Sequence, residues 1–274
     1  MVYSENGTRV VLGAYTDGDD DGAVRVFEYN GSDWNQLGLS IVGSGNMFGT
    51  GATISLDGTT IVTGTFEYSD GSDMGLLRVY EYTGSSWVQK GGDIYGTSAC
   101  RIGAVIAINT DKTIIGSVAT GGDNIARIYE YSGSAWAQKG SDIATTGHNA
   151  HSISFDASGT RVLIGDPQNS QIKIHDFTTN WDLHSTINGT PFNGFGRMGS
   201  LLSDDGLSFF ANGDTLAAYT YDGSSWKQLG ADIVSPDVSF RGTMNKNIDV
   251  MVVRNVAIPQ VTIFAYKPIH VISS

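Results

Sequence analysis

The chain has 274 residues, with 28 acidic against 16 basic side chains and a formal net charge of −12. That balance argues against a nucleic-acid or anionic-membrane partner, because both need clustered positive charge. A lone cysteine, Cys100, rules out an intrachain disulfide, and no apolar run approaches the length of a membrane-spanning helix, so no membrane insertion is expected.

Taken in order, the chain reads as the same short-strand unit written six times. Four strand positions, A to D, recur in each unit. The first unit opens at an Asn6-Gly7 turn. It continues with strand B over residues 9–13, a long acidic loop over 15–22, strand C over 24–29 and strand D from Trp34 to Ile41. In the second unit strand A over 52–56 alternates apolar and small residues, the half-buried strand pattern. Asp57-Gly58, strand B over 60–64, a loop over 67–75, strand C over 77–82 and strand D from Trp87 to Ile94 follow. The third has strand A at 104–108, strand B at 114–116, strand C at 126–131 and strand D from Trp136 to Ile143. It carries Asp111-Lys112 where the others have Asn-Gly, Asp-Gly or Ser-Gly, so its turn departs from the pair that adopts positive φ at low cost. The fourth runs through 151–155, Ser158-Gly159, 161–165 and 172–177 to Trp181–Ile187. The fifth runs through Asp205-Gly206, 208–211 and 216–221 to Trp226–Ile233. The sixth keeps candidate strands at 250–253, 261–266 and 269–272 but has Lys267-Pro268 in the region of the tryptophan.

The tryptophans Trp34, Trp87, Trp136, Trp181 and Trp226 stand 53, 49, 45 and 45 residues apart. A period of 45–50 residues built from short strands is the mark of a β-propeller, in which neighbouring units bury each other's faces. The expected fold is therefore an all-β propeller of six blades of four antiparallel strands in a single domain. The blades are placed at residues 1–49, 50–102, 103–149, 150–196, 197–241 and 242–274. The opening residues already lie inside the first repeat, with no pattern of a signal peptide. The chain reads either as a whole small protein or as a domain cut from a longer one, and in the second case an export signal could have been removed.

The recurring Asp-Gly-Thr turn, the Val-Arg-Val-Tyr-type strand C and the Gly-Ser-Ser-Trp-x-Gln-x-Gly strand resemble the integrin-alpha-like (FG-GAP-like) propeller repeat. Phe48-Gly49 and Phe195-Gly196 lie between units, Gly13-Ala14 follows strand B of the first unit, and Gly165-Asp166-Pro167 follows that of the fourth. The resemblance implies seven blades, where this chain supplies about six. In calcium-binding members it implies an Asp-x-Asp-x-Asp-Gly loop between strands A and B, where this chain has a two-residue turn.

Asp17, Asp19 and Asp21 do form Asp-x-Asp-x-Asp-Gly, but between strands B and C. Alternate carboxylates in a flexible loop suit a hard cation such as calcium, which needs six to eight oxygens. A solvated acidic hairpin loop explains the run more simply. No cofactor is assigned, calcium being the one candidate. His148, His151 and Cys100 have no metal-site spacing. Glu28, Glu81 and Glu130 recur on strand C, and a pair of them is imaginable as a glycosidase dyad. Residues repeated in every blade are more often architectural, so no catalytic residue is assigned. By the same logic the five tryptophans are read as structural anchors rather than sugar-stacking platforms. The Arg25, Arg78, Arg127 and Lys173 series is read as scaffold ion pairs, and Gln36, Gln89, Gln138 and Gln228 as caps of backbone groups.

Variation points elsewhere. The B–C and D–A connections differ most in length and chemistry, and a rigid scaffold with unequal loops is the usual layout of a binding face. That face is expected to present Tyr15, Phe48, Phe66, Tyr95, Arg101, His148 and Phe195. The leading reading is a non-enzymatic interaction or structural module, extracellular or on a particle or cell surface, with a protein or glycan partner. A carbohydrate-binding or carbohydrate-cleaving propeller is one alternative. A packing subunit of a larger assembly is the other.

Overall fold

The computed structural model describes residues 2–17, 21–43, 47–67, 74–97, 100–146, 151–189, 194–197, 199–213, 215–234, 240–244, 250–255 and 260–265. All regular structure among them is strand, arranged as six antiparallel sheets in chain order. Each of the first five sheets has strand order A-B-C-D, as a propeller blade requires. In the second, for example, Gly51–Ile54, Thr60–Thr65 and Leu76–Tyr82 are followed by Trp87–Gln89 and Ile94–Tyr95. The sixth sheet has three described strands, Phe240–Met244, Val250–Asn255 and Gln260–Ala265. Its first strand begins before the blade boundary placed at residue 242, and the fourth strand expected at 269–272 lies outside the described residues.

Strands A of successive blades pack side by side. The A–B turns gather at one end of the stack. There the Ala157 amide donates to the Asp204 carbonyl at 2.9 Å, and Thr110 Oγ1 of the third blade reaches Asp204 Oδ1 of the fifth at 2.9 Å. Lys112 takes the left-handed position of its turn at φ 59, where the other four turns place Gly7, Gly58, Gly159 and Gly206 at 68 to 70. A side chain there costs about 1–2 kcal/mol. Lys112 offsets part of that cost by donating from Nζ to Asp57 Oδ2 of the neighbouring blade at 2.6 Å.

The apolar core lies between the blades. Strand B is the most buried element, with all six residues of Thr60–Thr65 buried. One cluster joins Val11, Val24, Val26 and Phe48 to Ile54 and Ile61 of the next blade. Another joins Leu163, Ile172 and Phe195 to Leu202 and Phe209.

Strand D departs from the expected single run. In the first three blades it breaks into Trp34–Gln36 and Ile41–Val42, Trp87–Gln89 and Ile94–Tyr95, and Trp136–Gln138 and Ile143–Ala144. The break falls at Gly38, Gly91 and Gly140, which take φ of 75, 77 and 71, although Gly230 takes φ of 73 within the continuous strand of the fifth blade. Positive φ is open to glycine and bends the strand out of register. The fourth and fifth blades keep longer strands, Trp181–Asn188 and Trp226–Val234, with register shifts at Ile174/His175 and Leu216/Ala218.

Candidate functional site

The repeated side chains are taken up in holding blades together. Trp87 Nε1 donates to the Leu37 carbonyl, Trp136 Nε1 to that of Lys90 and Trp181 Nε1 to that of Lys139, each at 2.8 Å. Each acceptor belongs to the preceding blade, and the glycine after it leaves room for the indole. A Cβ on Gly38, Gly91 or Gly140 would lie 3.0, 2.8 or 2.9 Å from the tryptophan Cδ1. Each tryptophan also packs on the aromatic that closes its own strand C, as Trp136 does on Tyr131 at 5.1 Å between centroids. The two ends of the series differ. Trp34 is 44 % exposed, and the indole nitrogen of Trp226 is buried without a partner.

The strand C cations are paired within their blades. Arg78 meets Asp93 through Nε and Nη2, both at 2.7 Å, and Arg127 meets Asp142 at 2.7 and 2.6 Å. Lys173 lies 3.0 Å from the buried Asp166. Arg25 pairs with Asp17. These charge-assisted bonds hold the Asp93 carboxyl below its usual range and the Arg127 guanidinium above its own. Gln89 and Gln138 donate to the same aspartates at 2.8 and 2.9 Å, so they orient carboxylates instead of capping backbone. Gln36 alone of the first three bonds a carbonyl, that of Gly38, at 3.1 Å. The sequence signal for these aspartates was the Asp-Ile pair six residues after the tryptophan, in three units.

Glu28, Glu81 and Glu130 do not converge. Each is paired with a cation of its own blade: Arg9 at 2.8 Å, Lys90 at 3.9 Å and Lys139 at 2.8 Å. Arg9, Lys90 and Lys139 in turn lie over Tyr82, Tyr131 and Phe177 of the following blade. They add cation–π contacts to the tryptophan bonds.

Of the expected loop face, Tyr15 is 49 % and Tyr95 45 % exposed. Tyr95 donates from its hydroxyl to Asp93 Oδ2 at 3.1 Å. Phe66 and Arg101 are half-buried, and the Arg101 carbonyl accepts from Thr120. His148 lies outside the described residues. Phe48 and Phe195 are corrections: they are 1 % and 2 % exposed and belong to inter-blade clusters. Each is followed by a glycine at positive φ, Gly49 at 89 and Gly196 at 91. That turn sends the ring inward from a connection that reads as surface.

Asp17 spends its carboxylate on Arg25, Asp19 lies outside the described residues, and Asp21 stands at the foot of the same hairpin. Among the described residues no three His, Cys, Asp or Glu side chains are gathered as a cation site would need. Cys100 is fully buried, and His151 is buried with Nδ1 2.8 Å from the Gly165 carbonyl.

No protein-family model and no curated protein matches the sequence. Solved structures do match in three dimensions. A functionally unknown protein from Desulfotomaculum acetoxidans superposes with a TM-score of 0.68 at 14% identity, covering 96% of this chain and 80% of the other. The periplasmic gluconolactonase of Pseudomonas aeruginosa does so at 0.60 and 14%, covering 97% and 84%. Kuenenia stuttgartiensis hydrazine synthase gives 0.65 at 12%, covering 96% and 82%. At such identities the likeness is one of fold, and the fold is an all-β propeller.

Proposed function

We propose that the chain is a binding module whose partner, a protein or a glycan, docks on the face made by the B–C and D–A connections. One observation carries this reading. Tyr15 and Tyr95 stay about half exposed at that end of adjacent blades, whereas the other exposed aromatics among the described residues, Tyr3, Tyr29 and Trp34, lie on the strands of the first blade. Rigid exposed tyrosines supply contact area at low entropic cost. The repeated charges are engaged in ion pairs of the scaffold, which leaves the unequal loops to carry selectivity. The integrin-alpha-like resemblance belongs to the same reading, resting on the recurrence of its motifs. An extracellular or particle-surface setting suits it too, as does service as one subunit of a larger assembly.

The test is a glycan array together with capture from the native source, run with the wild type and a Tyr15→Ala/Tyr95→Ala variant. A ligand bound by the wild type and weakened about tenfold or more by the double variant is the expected result. Undiminished binding by the variant overturns the loop face.

A second reading, a sugar-directed enzyme, draws on the structural likeness to a gluconolactonase and to a putative 6-phosphogluconolactonase from Bacteroides uniformis. Hydrolysis of gluconolactone above the spontaneous rate supports it, and its absence removes it.

A further inference from the structure

One Arg–Asp cradle has an alanine in the arginine position. In the second blade Arg78 forks onto Asp93 and lies over the Phe48 ring at 5.5 Å. Tyr80 follows two residues on, and Gln89 bonds the aspartate at 2.8 Å. The fifth blade repeats the surround in the same register. Phe195 stands for Phe48, Tyr219 for Tyr80, Gln228 for Gln89 and Asp232 for Asp93, with Tyr219 opposite Gln228 as Tyr80 is opposite Gln89. The position of Arg78 is taken by Ala217.

A cavity of about 120 Å³ opens beside the buried Ala217, lined by Asn188, Gly189, Phe195, Thr215, Tyr219, Gln228 and Asp232. It is several times the roughly 10–15 Å³ that a single water needs on this measure. Asp232 accepts from Gln228 Nε2 at 2.6 Å and from Thr215 Oγ1 at 3.3 Å. No basic side chain among the described residues pairs with it. The Phe195 and Tyr219 rings meet edge to face at 6.0 Å, and burial together with the Asp232 charge raises the Tyr219 hydroxyl above its usual range.

We propose that this cavity is a socket for a guanidinium group supplied from outside the chain. Its source is the arginine side chain of a partner or a free arginine-like ligand. A planar guanidinium matches a carboxylate through two parallel hydrogen bonds and stacks on aromatic rings, and it is less strongly hydrated than an ammonium. The second blade displays that arrangement in full, so the fifth is a preformed cradle with its cation removed. The socket lies between the fourth and fifth blades, away from Tyr15 and Tyr95, so its failure and that of the loop face are separate results.

Calorimetric or NMR titration with N-acetyl-arginine methylamide, its lysine counterpart and a short arginine-containing peptide tests the site. Saturable binding of the arginine compound is expected, with the lysine compound and the Asp232→Asn variant each weaker by about tenfold or more. Ala217→Arg, which fills the cradle from within, should abolish binding and raise Tm. Tighter binding of the peptide identifies a partner side chain as the source, and tighter binding of the small compound a free ligand. No saturable binding, equal binding of lysine, or full binding by Asp232→Asn overturns the proposal. Because Asp232 is exposed, that variant carries the test even where Ala217→Arg disturbs folding.

Discussion

At the scale of single residues, Trp87, Trp136 and Trp181 join neighbouring blades. Trp181 is 7 % exposed and donates to the Lys139 carbonyl, so Trp181→Ala should lower unfolding free energy by about 3–5 kcal/mol in urea titration. Trp34 is 44 % exposed, and Trp34→Ala should cost under about 1 kcal/mol. His175 is a different case. It is buried on strand C of the fourth blade with neither ring nitrogen bonded. Burial first, and then Lys173, pushes its pKa down to about 4, against the opposing pull of Asp176 and Asp182. The unfolded chain therefore takes up this proton first as pH falls. Stability is unaffected above about 6.5, declines between about 6.5 and 4 and levels off below, for a total of up to about 3 kcal/mol. His175→Phe should abolish that decline when thermal unfolding is followed across the same window. The tryptophan series was readable from spacing alone. Phe48 and Phe195 carried the same kind of signal, a Phe-Gly repeated between units, but their place in a connection pointed to the surface. The inward turn depends on backbone angles at Gly49 and Gly196, which composition does not disclose.

At the scale of the element, strand D shows how one glycine serves two blades. Gly91 bends its own strand at φ 77 and leaves the space that Trp136 occupies. Gly91→Ala combines a left-handed side chain with a contact of 2.8 Å to the indole. It should destabilise by about 2–5 kcal/mol. Gly230 has the same kind of φ, at 73, but a methyl added there would meet no described atom within 4 Å. Gly230→Ala should cost only the backbone share, about 1–2 kcal/mol. Urea midpoints of the two variants separate steric from conformational cost. Strands B and C were legible almost to the residue, because β-branched and aromatic alternation fixes them. The break in strand D was not, since a Gly within a strand pattern is compatible with either a bulge or an unbroken run. The empty cradle was hidden for a related reason. Its Asp232 and Gln228 look like any other repeat residues, and only the register that sets Ala217 where Arg78 stands reveals the missing member.

At the scale of the whole molecule, acid should destabilise the protein in two pH windows. Below the window set by His175, a set of carboxylates comes into play. Arg78 holds Asp93 and Arg161 holds Asp176 below the usual carboxylate value. Burial pushes Asp57 and Asp166 up, but Lys112 with Ser55, and Thr146 with Lys173, outweigh it. A lowered carboxylate pKa contributes stability that is present above about 3.9 and lost as pH falls toward the folded-state value. A second, steeper loss is therefore expected below about pH 4, and 1 M salt should weaken the half-exposed pairs within it. Urea unfolding followed by circular dichroism at a series of pH values, in wild type and His175→Phe, resolves the two windows. The first five units could be read from the sequence, but the contact between turns of the third and fifth blades, Thr110 with Asp204, arises only where the turns gather in three dimensions.

The tryptophan bond also has a direction in time. Trp87, Trp136 and Trp181 each reach back to a carbonyl made earlier in the chain. At about 5–20 residues per second, a ribosome delivers a new blade every few seconds. Each indole then emerges to find its acceptor already in place. Assembly proceeds like masonry, each course keyed into the one below, and at the growing end the apolar face left waiting belongs to the most recent blade.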